Sequence, residues 1–194
     1  MTETGAARTP ERPYHHGDLR AAVLAAGRRL LDQRDVDDIS LREIAREVGV
    51  TAPSVYRHFP DKAALLRALA HEGLAELAEA QRIASAAAGG GRDGFTATGE
   101  AYVAFAVANP ALFRLIYAHP PRRDPMAPEW GSVSPSMKLL LESSARFAPP
   151  GGDPHDVALH SWAVVHGLAM LVLAGQVTYD PAAIRAAIKV GQAV

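Results

Sequence analysis

The residues best equipped for chemistry lie close together: Ser54, Tyr56, Arg57 and His58, with Lys62 just beyond them. They close the run 39–62, which spells two short helices joined by a tight turn, the second presenting the tyrosine, arginine and histidine outward. That is the build of a helix-turn-helix, in which a small scaffold offers one helix to the major groove of DNA. The implied chemistry is recognition rather than bond-making. A guanidinium at Arg57 can read a base edge. Lys62 stands in a first helical turn, where a cation opposes the helix dipole, so its placement makes sense with a phosphate opposite.

The elements that must hold these side chains are legible locally. Ser40 precedes an apolar-periodic run and Glu43 follows three residues later, a capping box. Leu41, Ile44, Ala45 and Val48 recur at helical spacing as a buried face, leaving Arg42, Glu43, Arg46 and Glu47 outside. Gly49 ends that helix, because glycine enters the left-handed conformation without a Cβ penalty. Val50 plugs the gap between the helices, Thr51 is the expected N-cap of the second, and Pro53 is tolerated in its first turn. Val55 and Phe59 face inward. Pro60 stops the helix, and Asp61 caps a long successor carrying Leu65, Leu66, Leu69, Leu74 and Leu77.

From Tyr14 to about Leu77 the chain resembles the DNA-binding domain of the TetR family of bacterial transcriptional regulators. The matching pieces are Tyr-His-His-Gly-Asp-Leu-Arg at 14–20, Ser-Leu-Arg-Glu-Ile-Ala at 40–45, Gly-Val-Thr at 49–51 and, strongest, Ser-Val-Tyr-Arg-His-Phe-Pro-Asp-Lys-Ala-Ala-Leu-Leu at 54–66. Far downstream, Trp162, His166 and Gly167 are similar to a Trp-His-Gly motif in the ligand-binding domain of one subgroup, and residues 109–117 fit the same subgroup. The resemblance implies phosphate contacts from Tyr56, His58 and Lys62, base reading or close approach by Ser54 and Arg57, and a further reach to DNA from Arg42. Two positions depart from the pattern. Asp35 stands where many relatives have a helix-ending glycine, and Ala52, beside Thr51, leaves little for direct base readout beyond Arg57 and apolar contact with thymine methyls.

Composition sets bounds. The 194 residues hold one small module plus a medium domain, and 48% hydrophobic content supplies ample core. Twenty basic against 21 acidic residues give a net charge of −1, which excludes a bulk polycation but not a reader with a local positive face. Zero cysteines remove disulfides, thiolate nucleophiles and Cys-based zinc sites, which fits a cytoplasmic protein. His155, His160 and His166 are spaced poorly for two ligands on one helix face, so no metal and no cofactor is expected. Residues 1–13 lack an apolar signal region and read as a disordered tail.

The expected fold class is all-α: a three-helix, homeodomain-like helix-turn-helix domain at 14–62, a linking helix at about 61–87, and a helical-bundle ligand-binding and dimerisation domain at 88–194. Asp18 is the expected cap of a first helix running to about Arg34. Gly89–Gly91 breaks the chain. Helices follow at about 94–108, from Pro110, at about 135–147, from Pro154 to Gly175, and from Pro181. Five prolines make 118–135 largely loop. The run 157–179 carries no formal charge, but His160, Ser161, His166 and Gln176 within it and the lack of flanking basic residues argue against a membrane span. In the family this helix and the last one form a four-helix dimer interface. Leu159, Val164, Leu168, Leu171 and Val172 would supply apolar area there, with Ala163 and Gly167 allowing close approach. Phe105, Phe113, Tyr117, Trp130, Met137, Trp162, His166 and Met170 are candidate walls of an apolar ligand pocket, each with an ordinary core role as the alternative.

The whole then implies a homodimeric repressor that binds a near-palindromic duplex operator and is released by an unidentified small-molecule effector. Two other classes stay open on the sequence: a protein-binding adaptor using the helix-turn-helix, and an all-α enzyme. No Gly-x-Ser-x-Gly elbow, phosphate-binding glycine loop or His-Glu-x-x-His pattern supports the latter.

Overall fold

A computed structural model describes residues 16–118 and 135–192, and every regular element among them is helical. Helix α1 (His16–Gln33) is followed by a 3-10 turn at Val36–Asp38, then α2 (Leu41–Val48) and α3 (Ala52–Tyr56). The long α4 (Lys62–Ala87) leads to α5 (Gly91–Ala108), α6 (Pro110–Ala118), α7 (Pro135–Phe147), α8 (Pro154–Leu173) and α9 (Pro181–Gln192).

Local chemistry sets most of these ends. Ser40 accepts from the Glu43 amide at 3.2 Å and Asp61 from the Ala64 amide at 2.6 Å, each satisfying a first-turn donor that has no partner within its helix. Gly49 takes φ 78°, ψ 30° at the end of α2, so the left-handed turn expected there is present. Three successive glycines with positive φ, Gly89, Gly90 and Gly91, separate α4 from α5. Asp153 caps α8 by accepting from the His155 amide at 2.9 Å.

Several boundaries differ from expectation. Helix α1 begins at His16, two residues before Asp18, which therefore lies inside the helix rather than at its cap. Asp35 needs no glycine-like geometry. It sits at φ −63° and accepts from the Asp37 amide at 3.2 Å, capping the 3-10 turn. Helix α3 ends at Tyr56, so Arg57 and His58 lie in a closing turn. The Phe59 amide still reaches the Val55 carbonyl at 2.9 Å there. The N-terminal tail, Tyr14, His15, Trp130 and the proline-rich stretch before Pro135 lie outside the described residues.

Packing runs without interruption from one end to the other. A single buried cluster joins Leu19, Val23 and Leu24 of α1 through Leu65, Leu69 and Leu77 of α4 to Phe113 of α6 and Ile188 of α9. Helix α4 is the axis, packing on α5, α6, α7 and α1. It comes closest to α6 at Gly73, where a Cβ would stand 2.8 Å from Leu112 Cδ2 and 3.0 Å from Ile116 Cδ1. Arg28 ties three elements together. From α1 it donates to Asn109 Oδ1 before α6 at 2.6 Å and to Glu76 of α4 at 3.3 Å.

Candidate functional site

Two regions carry polar chemistry beyond what the core needs. The first is the outer side of α2, α3 and the turn that follows. Val55 and Phe59 are fully buried, and Val48 and Val50 pack partly buried against the same core, so α3 is anchored from beneath. The Arg20 guanidinium lies 5.4 Å from the centre of the Phe59 ring and covers its edge of the core. What remains outward is Tyr56, 42% exposed, with exposed Arg57 and half-buried His58 beside it.

The charges are sorted in a way that favours an anionic partner. Glu47 pairs with Arg29 of α1 at 2.7 Å and Glu43 with Arg34, just past α1, at 2.7 Å, so both carboxylates of α2 are spoken for. Arg42 and Arg57 have no ion-pair partner among the described residues. Lys62 is different from the expectation of a free cation: its ammonium donates to the Asp37 carbonyl at 2.8 Å, pinning α4 to the 3-10 turn. Asp35, Asp37 and Asp38 are exposed on that turn and remain a negative neighbour of the face. Thr51 occupies the N-cap position of α3 without a side-chain capping bond; its hydroxyl meets Ser54 Oγ at 2.9 Å instead. Ala52 and Ser54 are half-buried, as are His58 and Lys62, while Thr51 is exposed.

The second region is a narrow slot. Leu74 and Gln81 of α4, Phe95 and Tyr102 of α5, Tyr117 of α6, Met137 of α7, Trp162 of α8 and Ile188 of α9 are among its walls. It encloses about 740 Å³ of empty space counting its open mouth, yet only about 50 Å³ admits the centre of a water molecule, so opposite walls stand close. At one end four aromatic side chains meet around one oxygen. The Tyr102 hydroxyl donates to Tyr117 Oη at 2.8 Å, lies 2.9 Å from His166 Nδ1, and receives the Trp162 indole N–H at 3.3 Å. With its single proton given to Tyr117, Tyr102 can only accept from His166, which places the imidazole hydrogen on Nδ1. Burial pushes the Tyr102 and Tyr117 phenols upward and lowers His166, so all three are neutral near pH 7.

The structure places the described candidate pocket residues differently from one another. Tyr117, Met137 and Trp162 line the slot. His166 stands just behind, its ring 4.7 Å from Tyr117 and 5.8 Å from Phe113. Phe105 and Phe113 are buried in the core and serve as backing. Met170 is corrected: it is 45% exposed on the outer side of α8, because eight residues of helix rotate a side chain by about 80° away from Trp162. Val164 moves the other way, from the expected outer face to a slot wall. Leu168 and Val172 are half-buried against the core. The outer stripe of α8 is therefore Leu159, Ala163, Gly167, Met170 and Leu171, with nothing within 4 Å of the Cβ position at Gly167. Tyr102, the centre of the aromatic group, and Gln81 were absent from the sequence-derived set. Their partners lie on other helices, and no local pattern marks them.

Comparison with known proteins places this arrangement. Residues 23–69 match the family model described as bacterial regulatory proteins, tetR family, and residues 95–190 match the tetracyclin repressor-like C-terminal domain. The HTH-type transcriptional regulator EthR of Mycolicibacterium smegmatis is 36% identical over 74 residues, 36% of this chain and 34% of that protein, so the match spans about a third of that relative's length. An uncharacterized HTH-type transcriptional regulator, YobS of Bacillus subtilis, is 26% identical over 162 residues, 80% of each chain. A solved structure of a protein of unknown function from Rhodococcus sp. RHA1 shares 35% identity, with a TM-score of 0.72 over 94% of this chain and 96% of that one.

Proposed function

The chain belongs to the tetR family of bacterial regulatory proteins, and from that premise we propose that it is a sequence-specific transcriptional repressor released from its operator by a small molecule. The observation that carries this reading is the outward row on α3 and its closing turn. Tyr56 and Arg57 stand exposed over a sealed anchor of Val55 and Phe59, while the acids of α2 are neutralised by Arg29 and Arg34. Residues 14–62 form the DNA-reading domain in this proposal and residues 88–194 the domain for effector and partner. Tyr56, His58 and Lys62 hold phosphates, with Arg42 at the edge, and Arg57 reads bases beside Thr51, Ala52 and Ser54. The protein works in the cytoplasm, where its operator lies.

Two copies are needed to place two recognition helices in successive major grooves. Helix α8 is long and apolar enough to cross a membrane by length and hydropathy alone. Its inner side packs on the core, however, and its outer apolar stripe of Leu159, Ala163, Gly167, Met170 and Leu171 lacks cover. That stripe, with α9 beside it, pairs with the same stripe of a second chain. Trp162, His166 and Gly167 support a reading of the chain as a member of the subgroup with a Trp-His-Gly motif.

The slot is the effector site in this reading. Occupation releases DNA only if the ligand prefers the DNA-incompetent spacing of the two reading heads, since differential affinity alone shifts a population. Sheared genomic DNA incubated with the purified protein at physiological salt, followed by sequencing of the bound fragments, tests the proposal. Recovery of a shared near-palindromic motif is expected. Diffuse recovery, or none, with loss of salt-dependent duplex affinity would point to a protein-binding role for the helix-turn-helix instead.

A further inference from the structure

The slot has a chemical signature that narrows its ligand. Among the described residues, none of its walls carries an Asp, Glu, Lys or Arg side chain. A carboxylate placed there would give up its hydration with no lysine or arginine to meet it, and an ammonium would do the same with no anion. Most of the surface is aliphatic or aromatic. The polar groups at its edges are largely bound to one another: Ser136 Oγ donates to Gln81 Oε1 at 2.6 Å, and Thr98 Oγ1 to the Phe95 carbonyl at 2.7 Å.

Apart from exposed His160 and half-buried Ser161 of α8, what is left over has one polarity. Gln81 is only 7% exposed, and its amide nitrogen bears two hydrogens, of which one is used weakly on the Thr98 carbonyl at 3.4 Å. Tyr117 accepts the Tyr102 proton and keeps its own. The slot therefore offers two spare hydrogen-bond donors, one on α4 and one on α6, in a neutral and closely walled space. Those donors also work against a cation held by the faces of Tyr117 and Trp162, because the positive ends of the N–H and O–H dipoles share that space.

We propose that the slot takes an uncharged, slender, largely apolar molecule bearing a carbonyl-type acceptor, which receives the spare hydrogen of Tyr117. This rests on the slot being the effector site. The ligand's body lies between Phe95, Leu140 and Val165, and its acceptor points to the aromatic end.

Three probes of one shape separate the charge classes: 4-phenylbutan-2-one, 3-phenylpropanoate and 3-phenylpropylammonium, each titrated into the full-length protein by calorimetry. The ketone is expected to bind at least about tenfold more tightly than either ion, the value of one well-made hydrogen bond with no desolvated charge. Tyr117→Phe, which removes that donor and keeps the ring, should weaken the ketone by about the same factor and leave the ammonium, which has no acceptor, unchanged. Leu140→Trp, which fills the slot, should abolish ketone binding while leaving the far-ultraviolet spectrum of a helical protein. Tighter or equal binding by the propanoate or the ammonium would overturn the ligand class and leave the effector site standing. Ketone binding that survives Leu140→Trp, or no saturable heat from any of the three, would remove the slot as a small-molecule site and the class with it.

Discussion

Replacing Tyr102 by phenylalanine deletes one oxygen and leaves the ring where it packs. That oxygen serves three partners: Tyr117 at 2.8 Å, His166 Nδ1 at 2.9 Å and the Trp162 indole at a longer 3.3 Å. The two short bonds contribute about 1 kcal/mol each, and the long one less. Two donors, the Trp162 and His166 N–H groups, lose their acceptor, although both residues are half-buried and border a slot that admits some water. The summed loss is about 2–3 kcal/mol. For a chain of this size that corresponds to a fall of roughly 4–12 °C in Tm. Urea unfolding at one fixed protein concentration measures it, because pairing of chains makes stability depend on concentration. The companion Tyr117→Phe and the double variant close a cycle whose coupling should be about 1 kcal/mol. A Tyr102→Phe protein within about 0.5 kcal/mol of wild type, or a double variant that is purely additive, would refute the network.

Lys62→Ala and Tyr56→Phe should weaken binding to all duplex sequences alike, and the lysine variant should also lower the salt slope by about one, read from binding isotherms at several salt concentrations. Arg57→Ala should relax sequence preference instead; a uniform loss would place Arg57 on phosphate. Gly73→Val forces side-chain atoms into Leu112 and Ile116, with a loss of about 1–3 kcal/mol by urea unfolding. His166 titrates below its ordinary 6.5 because burial disfavours the imidazolium, so the unfolded chain takes up this proton first. Its contribution to stability is complete above 6.5 and is lost as pH falls through 6.5 toward the folded value, while buried Tyr102 and Tyr117 stay neutral. The Tm difference between wild type and His166→Gln should therefore vary between about pH 8 and pH 5, and a flat difference would contradict it. Leu171→Glu on the outer stripe of α8 should shift the protein toward a single chain by sedimentation.

Sequence reasoning was strongest where the cause is local. Ser40 with Glu43, Gly49 and Asp61 each act within four residues, and the structure has an element end at each. Thr51 shows the limit of the same logic: it holds the cap position, yet its hydroxyl found Ser54 rather than a backbone amide. The slot was only partly legible. Tyr102 reaches partners 15, 60 and 64 residues away, and no spacing within α5 announces them. On α8 apolar residues occupy every side, so periodicity cannot tell inside from outside; that is why Met170 and Val164 exchanged roles. A buried aromatic such as Phe113 reads the same in sequence whether it walls a pocket or backs one.

The buried cluster that begins at Leu19 and ends at Ile188 offers denaturant no weak plane to open first. The chain should therefore melt as one cooperative unit, with a single transition seen by every probe. A compound held in the slot then stabilises the DNA-reading helices as much as its own walls, by mass action on the whole folded state. Amides in α2 and α3 that exchange only through global unfolding would slow on adding a molecule that never touches them. For the same reason the first three helices cannot be lifted out as an independent reader. Without α4 they lose Leu65, Leu66 and Leu69, the floor on which they rest.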